Sequence, residues 1–266
     1  MQPGSARPAT NEASKLEALD HQFCYGRTNL SINNSLLNGF DSGLGNLEDT
    51  KDTCNHIDGH WKALNCMQQR GKERYKNESL FHLEVFLFFT DPAPLMRSVT
   101  YICQPGNLKL FSKYLPSCYL KSESELRHCS LIQKREIEEA VKNVLHHELA
   151  RFDERKSSGQ NEYLKMIKQK FLQASCASTL GKIDCVKRAL FGTCTDENGV
   201  ILMENFYRET LQLDCEPSRS LGQIQSSSFA VYPPSLPDNR SSRTHHHVQC
   251  ISILAFLLPS LMMNTV

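Results

Sequence analysis

The sequence lacks the short motifs by which many enzymes and metal proteins are identified. It has no P-loop, no dinucleotide-binding glycine fingerprint and no G-x-S-x-G nucleophile elbow. No two cysteines have the C-x2-C spacing of a zinc ribbon. The net charge is only +1 and no block of basic residues occurs, which argues against nucleic acid as a partner. We therefore predict a protein that is not an enzyme and that uses no cofactor and no metal ion.

One histidine-rich stretch comes nearest to a catalytic motif. His146-His147-Glu148 is similar to the helix of zinc proteases, but that motif needs a second histidine four positions after the first, where Ala150 and Arg151 stand. We interpret the stretch as an exposed helix face. The same interpretation as solvated surface or spacer applies to Glu138-Glu139, Asp153-Glu154 and His245-His246-His247.

A signal peptide is also missing. Residues Met1 to Gln22 are polar and contain no apolar h-region. Either the sequence begins downstream of its signal peptide or the protein is not secreted. The cysteines, the glycosylation sequons and the C-terminal region favour the first interpretation.

Cysteine, by contrast, is abundant. The chain has 11 cysteines among 266 residues. Cys250 lies in an apolar run near the end, and the others form an even, dispersed set that is typical of disulfides made in an oxidising compartment. Their pairing does not follow from the sequence. The cysteines that we predict to form disulfides are Cys24, Cys54, Cys66, Cys103, Cys118, Cys129, Cys176, Cys185, Cys194 and Cys215.

N-x-S/T sequons indicate the same compartment, because asparagine in this context is glycosylated in secreted proteins. They predict glycans on surface segments of the chain. The four sequon asparagines are Asn29, Asn33, Asn77 and Asn239.

Composition divides the chain into four regions. Residues 1–50 are rich in Gly, Ser, Asn and Asp without a sustained period, which predicts a loose, disordered N-terminal arm. Across residues 51–216, apolar residues recur at helical spacing between cysteines. This predicts an all-α, disulfide-stapled helical bundle, as one domain or as two helical modules. Residues 217–249 are rich in Ser and Pro and predict an extended stalk, and residues 250–266 form a hydrophobic tail.

Several shorter helices are expected in the first part of the bundle. Apolar residues fall at helical spacing from Cys54 onward, and Trp61 among them is expected to be a core anchor. The apolar run Leu80–Phe89 fits either a buried helix or a strand, since periodicity does not distinguish them. The other short helices are expected over Leu95–Cys103, Leu108–Leu120 and Gly199–Cys215.

Two long helices are expected in the second part. Ser122-Glu-Ser-Glu125 has the capping-box pattern, in which the serine caps the first turn and Glu125 reaches back to it. It predicts a helix to about Arg155, and Ser157-Ser-Gly159 separates this helix from a second one that starts at Glu162. Their apolar stripes are Ile137, Val141, Val144, Leu145, Leu149 and Phe152 in the first helix, and Leu164, Ile167, Phe171 and Ala174 in the second.

Cys176, Cys185 and Cys194 follow one another at steps of nine residues. In an unbroken helix this step spans about 13.5 Å and reverses the face, whereas a disulfide needs Cα atoms within about 7 Å. Neighbours in this trio therefore pair only if the helix breaks, at Gly181 and Gly192. Otherwise each cysteine reaches a different partner helix.

The tail Cys250–Val266 is almost entirely apolar, but as a helix it reaches only about 25 Å, short of the bilayer core of about 30 Å. It fits a glycosylphosphatidylinositol attachment signal better. That signal has a cleavage site of small residues, here Asn239 or Ser241, then a polar spacer and an apolar tail that is removed. Cleavage would also remove Cys250. The alternatives are a marginal transmembrane or tail anchor and a buried C-terminus.

The cysteine spacing resembles that of small cysteine-rich, helical extracellular domains of unknown function found in nematodes and other invertebrates. This resemblance implies an extracellular helical fold without assigned catalytic residues. The general plan is also similar to that of the receptors of glial-cell-line-derived neurotrophic factor, although their adjacent cysteine pair is missing here. The residues that carry the first resemblance are Cys103, Cys118, Cys129, Cys176, Cys185, Cys194 and Cys215.

Together these features predict a non-enzymatic, receptor-like binding protein at the outer cell surface. A lipid anchor would hold it in the outer membrane leaflet, and its partner would be an unknown extracellular protein or ligand. Two alternatives stay open. One is a soluble secreted ligand or defence protein, and the other is an intracellular tail-anchored protein with free thiols.

Overall fold

The computed structural model describes residues 20, 22–26, 30, 35–41, 43–76, 80–153 and 157–215. Within these ranges the chain is helical and forms no strand, which confirms the all-α prediction. The predicted stalk (217–249) and hydrophobic tail (250–266) lie outside the described residues. The helices are α1 (Leu47–Asn55), α2 (Ile57–Tyr75), α3 (Leu80–Phe89), α4 (Ala93–Cys103), α5 (Pro105–Tyr114), α6 (Glu123–Asp153), α7 (Ser157–Phe191) and α8 (Glu197–Glu209).

The two longest described helices, α6 and α7, pack against each other as an antiparallel hairpin. These helices have 31 and 35 residues, which correspond to about 46 and 52 Å. Their register is set by the disulfide Cys129–Cys185 and, one turn further along, by Gln133 Nε2, which donates to Thr179 Oγ1 at 3.0 Å. α7 starts at Ser157 and includes residues 157–159, so the prediction that these residues separate the two helices is wrong.

Buried apolar side chains form two clusters along this hairpin. The larger one, the cysteine-bearing core, contains side chains from the turn at residues 35–44 and from helices on both sides of the hairpin. The smaller one, the phenylalanine cluster, lies between α3, α6 and α7. The cysteine-bearing core is centred on Phe40, Phe111, Tyr119, Ile183, Val186 and Phe206. The phenylalanine cluster consists of Phe81, Val85, Phe86, Val141, Tyr163, Leu164, Ile167 and Phe171, with Phe88 and Phe89 half-buried against it.

The ambiguous apolar run is helix α3, and its place explains why the run shows no polar face. Phe81, Val85 and Phe86 point inward. On α2, Gly71 leaves the space that the Phe86 ring occupies, because a Cβ at residue 71 would overlap that ring. The missing side chain thus lets α3 pack directly against the α2 backbone.

Part of the predicted loose arm (1–50) is folded. Residues 35–41 and 43–46 are part of the folded body, and α1 already begins at Leu47. This stretch is polar and rich in glycine, but it also contains a few apolar residues. Their burial stabilises the folded position of the stretch more than the turn-forming tendency of their neighbours opposes it. Residues 1–19 lie outside the described residues. The side chains that are 2 % exposed or less are Leu36, Leu37, Phe40 and Leu44.

The turn at residues 35–44 inserts a phenylalanine into the core at a strained position. Gly39 and Phe40 both have a φ of 60°, and Phe40 is the one non-glycine residue with positive φ among the described residues. This region is disfavoured for residues with a Cβ. The Phe40 ring lies 5.3 Å from the Phe111 ring, centroid to centroid, and 5.0 Å from the Phe206 ring. Aromatic burial therefore offsets the backbone strain.

An ion pair of a buried lysine connects the same turn to α7. The Lys182 side chain is 5 % exposed, and its Nζ donates to Asp41 Oδ1 at 2.6 Å. The ammonium also lies 4.5 Å from the centroid of the Tyr207 ring. A buried ammonium without such partners would be costly. The ion pair thus favours the one arrangement in which the turn lies against α7.

Between α5 and α6 the chain stays helical, but the type of helix changes. Leu115–Tyr119 forms a π-helical turn, and Leu120–Ser122 follows as a 3₁₀ turn. Pro116 lies in the π turn, where its missing N–H removes one bond of the regular helical ladder. The turn directs Cys118 and Tyr119 into the cysteine-bearing core.

The predicted capping box at the start of α6 is wrong. Ser122 Oγ hydrogen-bonds to Thr193 Oγ1 and donates to the Ala189 carbonyl at 3.3 Å, so it ties α6 to the end of α7. Glu125 accepts from Ser124 Oγ at 2.7 Å. The chain enters α6 already helical, so its first N–H groups have partners in the preceding turn and need no side-chain cap.

The buried face of α2 is rotated from the predicted one. It contains His60, Ala63, Leu64 and Gly71. Trp61 is 38 % exposed and is therefore not the core anchor that the sequence suggests. Adjacent residues on a helix point about 100° apart, so burial of His60 turns Trp61 toward solvent.

Candidate functional site

All ten cysteines predicted to pair form disulfides. Their Cα–Cα distances range from 4.8 to 5.8 Å, which is the usual separation for a disulfide. Such a set is typical of extracellular or secreted proteins, because the cytosol keeps thiols reduced. The pairs are Cys24–Cys66, Cys54–Cys103, Cys118–Cys194, Cys129–Cys185 and Cys176–Cys215.

The three evenly spaced cysteines, Cys176, Cys185 and Cys194, pair with different parts of the chain and not with one another. α7 continues unbroken through Gly181 and ends at Phe191, just before Gly192. Each cysteine of the trio therefore faces a different part of the chain: Cys176 pairs with Cys215, Cys185 with Cys129, and Cys194 with Cys118. Because α8 ends at Glu209, Cys215 reaches Cys176 from a turn and not from a helix.

The disulfides fall into two sets along the chain. Two join parts of residues 24–103, and three join parts of residues 118–215. Noncovalent packing connects the two sets, since the cysteine-bearing core combines Phe40 from the first part with Phe206 from the second.

The predicted modification sites all lie outside the described residues. This applies to the glycosylation sites and to both proposed lipid-attachment residues. Within the described ranges, no helix is both long enough and apolar enough to cross a membrane. The residues concerned are Asn29, Asn33, Asn77, Asn239 and Ser241.

The described His, Cys, Asp and Glu residues form no cluster that could hold a metal ion. His146 and His147 are exposed on α6, with their rings edge to face at 4.9 Å between centroids. Such neighbours on a solvated helix surface do not by themselves form a site.

The strongest polar network on the surface is a helix cap. Asp196 caps α8 and accepts hydrogen bonds from the Tyr114 hydroxyl, the Asn198 backbone N–H and the Lys113 ammonium. These donors hold the pKa of Asp196 well below its usual range, with the tyrosine hydroxyl contributing most. Its carboxylate thus has a structural role, because it stabilises the positive end of the α8 dipole.

The outward face of α3 is apolar, unlike that of an ordinary surface helix. Leu80 is 42 % exposed, and Leu83 and Leu87 are half-buried beside it. One ion pair, between Glu84 and Lys168 of α7, crosses this face. The sequence signal for this surface is the nearly unbroken apolar composition of the run, which does not reveal which side remains outside.

A buried histidine lies where α2 meets the described residues 20, 22–26 and 30, here called the N-terminal segment. His60 is 1 % exposed, and neither of its ring nitrogens has a hydrogen-bond partner among the described residues. Its ring lies 6.0 Å from the ring of Tyr25, which is also buried. Burial lowers the pKa of His60 and raises the pKa of Tyr25. Sequence reasoning missed this pair, because the spacing on α2 favours Trp61 as the inward residue.

Comparisons with known proteins give no relative for this chain. No family model, no curated protein and no solved structure matches it. The resemblance to cysteine-rich domains of nematodes and other invertebrates therefore stays a prediction.

Proposed function

We propose that this protein is a non-enzymatic, receptor-like binding protein, held at the outer cell surface by a lipid attached at Asn239 or Ser241. The observation that carries the proposal is the pairing of ten cysteines, which leaves Cys250 of the tail as the one cysteine without a described partner. Removal of the tail would release a mature chain with an even number of cysteines, as expected for an extracellular protein.

A binding role fits the described surface better than an enzymatic one. Among the described residues, no group of three or more His, Cys, Asp or Glu side chains could hold a metal ion. The described helices do expose an apolar face on α3, and surfaces of this kind are common where proteins meet other molecules. The partner class that we propose is an extracellular protein or ligand.

Intact-mass measurement on the protein from its own source tests the anchor and the compartment together. After deglycosylation, we expect a chain that ends at Asn239 or Ser241, carries a glycolipid remnant and gains ten hydrogens on reduction of its five disulfides. Treatment of intact cells with a phosphatidylinositol-specific phospholipase should release it into the medium.

Other outcomes would separate the alternatives. A full-length chain with oxidised cysteines and no lipid would indicate the soluble secreted ligand or defence protein. A full-length chain whose thiols react in the native state would indicate the intracellular tail-anchored protein and would overturn the extracellular proposal.

A further inference from the structure

The N-terminal segment lies antiparallel along α2 and is held there by several kinds of contact. The Asp20 carboxylate accepts from Arg70 Nε at 2.5 Å and from Arg74, and the Phe23 ring lies 4.4 Å from the Arg70 guanidinium carbon. The disulfide Cys24–Cys66 joins the two elements covalently.

At the start of α2 the same segment covers His60. Tyr25 lies against the His60 ring, and Leu30 packs so closely on the helix that a Cβ at Gly59 would lie 2.7 Å from its Cδ1. His60, the next residue after Gly59, is 1 % exposed, and neither of its ring nitrogens bonds to a described residue. Burial of a neutral imidazole without hydrogen bonds costs free energy, and burial of a charged imidazolium in the same position would cost far more.

The charged groups around His60 do not compensate for protonation. Asp52 of α1 favours the imidazolium, but the carboxylate is already paired with His56 at 3.2 Å. His56 itself disfavours a second positive charge nearby. From the N-terminal segment the titratable neighbour is Tyr25, which stays neutral, and α4 carries one cationic group, Arg97, which donates to the Leu211 carbonyl.

We propose that this junction is an acid-sensitive switch, in which protonation of His60 displaces Tyr25 and opens the contact between the start of α2 and the residues that follow Cys24. No described residue accepts a hydrogen bond from His60, so the imidazolium would gain partners by donating to water, which requires Tyr25 to move aside. Cys24–Cys66 keeps the segment attached, so opening is local and reversible. An extracellular protein would meet this condition on uptake into an acidic compartment, whether or not it carries a lipid anchor.

The direction of the pH dependence follows from the coupling between protonation of His60 and opening of the junction. Burial makes the pKa of folded His60 lower than its unfolded value of 6.5. The closed junction is therefore fully stable above that value and loses stability as the pH falls through it toward the lower folded pKa. Each unit of separation between the pKa values of the closed and open states corresponds to about a tenfold shift toward the open state.

Hydrogen–deuterium exchange of the full-length, oxidised protein at pH 7.4 and pH 5.5 tests this switch, after correction for intrinsic exchange rates. We expect the peptides that cover residues 22–26 and the first turns of α2 to exchange about tenfold faster at the lower pH. Helix content by circular dichroism should not change. The fluorescence of Trp61, next to His60, should change over the same pH range.

Two variants provide the control. His60→Leu removes the titrating group and should abolish the acid-induced exchange, and His60→Gln replaces it if the leucine variant does not fold. His56→Gln, at an exposed histidine, should keep the response. The proposal is overturned if the wild-type protein shows no change in these peptides, if the His60 variant responds like the wild-type protein, or if the whole molecule unfolds at the same pH.

Discussion

Three disulfides lie in or against the cysteine-bearing core, whereas the phenylalanine cluster contains no cysteine among the described residues. The core is assembled from a strained turn, a π-helical turn and the ends of several helices. The phenylalanine cluster consists of side chains from regular helices that pack side by side. Within the core, Cys118–Cys194 joins the π-helical turn to the residues after α7, and Cys129–Cys185 joins the two long helices. The phenylalanine cluster joins the same two helices through packed apolar side chains.

The difference has a thermodynamic basis. A disulfide stabilises mainly by restricting the unfolded chain, by about 2–4 kcal/mol each. Its effect is therefore greatest where distant segments must meet, such as Cys118 and Cys194, which are 76 residues apart. A buried phenylalanine contributes through the area that it removes from water and through contacts with neighbouring rings.

Reduction should have the largest effect and should act mainly on the core. Five bridges at about 2–4 kcal/mol each approach or exceed the total stability of about 5–15 kcal/mol that is usual for a domain. We expect the cooperative thermal transition to disappear in dithiothreitol, as measured by circular dichroism. In exchange experiments on the reduced protein, protection should be lost first in α4, α5 and α8 and last in α7 near Phe171. An unchanged melting temperature on reduction would contradict this view of the core.

Truncation of one phenylalanine in each region should have the next largest effect. The Phe171 ring contacts those of Phe88 and Phe89 at 6.1 and 5.1 Å between centroids, and Phe206 contacts Phe40. Phe171→Ala and Phe206→Ala should each cost about 3–5 kcal/mol in the free energy of unfolding, measured in urea. Phe171→Ala should increase amide exchange in α3, and Phe206→Ala should increase it in α5 and α8. If both variants increase exchange everywhere alike, the two clusters are a single cooperative unit.

A glycine substitution should have the smallest effect and should identify the phenylalanine cluster specifically. A Cβ at Gly71 would overlap the Phe86 ring, so Gly71→Ala should displace α3 and cost about 1–3 kcal/mol. The matched control is Gly181→Ala, because Gly181 is exposed on α7 with no neighbour within 4 Å of the added Cβ. That variant should gain about 0.5–1 kcal/mol from the higher helix propensity of alanine. Equal melting temperatures for the two variants would show that α3 does not depend on the gap at Gly71.

Much of the secondary structure was predictable, because helices of more than ten residues leave a clear apolar period. The stripes containing Val141 and Phe171 correctly identified the two long helices. Local signals were less reliable where the backbone is irregular. Ser122 has the sequence pattern of a cap, yet it bonds across to α7 because the chain already enters α6 as a helix.

The candidate site was less predictable than the helices. His60 and Trp61 are adjacent in sequence, and composition favours the tryptophan as the buried residue. Tyr25 packs against His60 and Leu30 packs against the neighbouring Gly59, and both come from a segment about 30 residues earlier in the chain. A periodic pattern within one helix gives no information about its contacts with a segment so distant in the sequence.

The sequence by itself determined the fold class, the set of cysteines that pair and the positions of the two long helices, since each depends on composition or on a short repeating pattern. Tertiary structure alone decided the pairing of the cysteines, the insertion of Phe40 into the core and the burial of His60. In all three, residues far apart along the chain compete for the same space, and only the packed arrangement shows which of them occupies it.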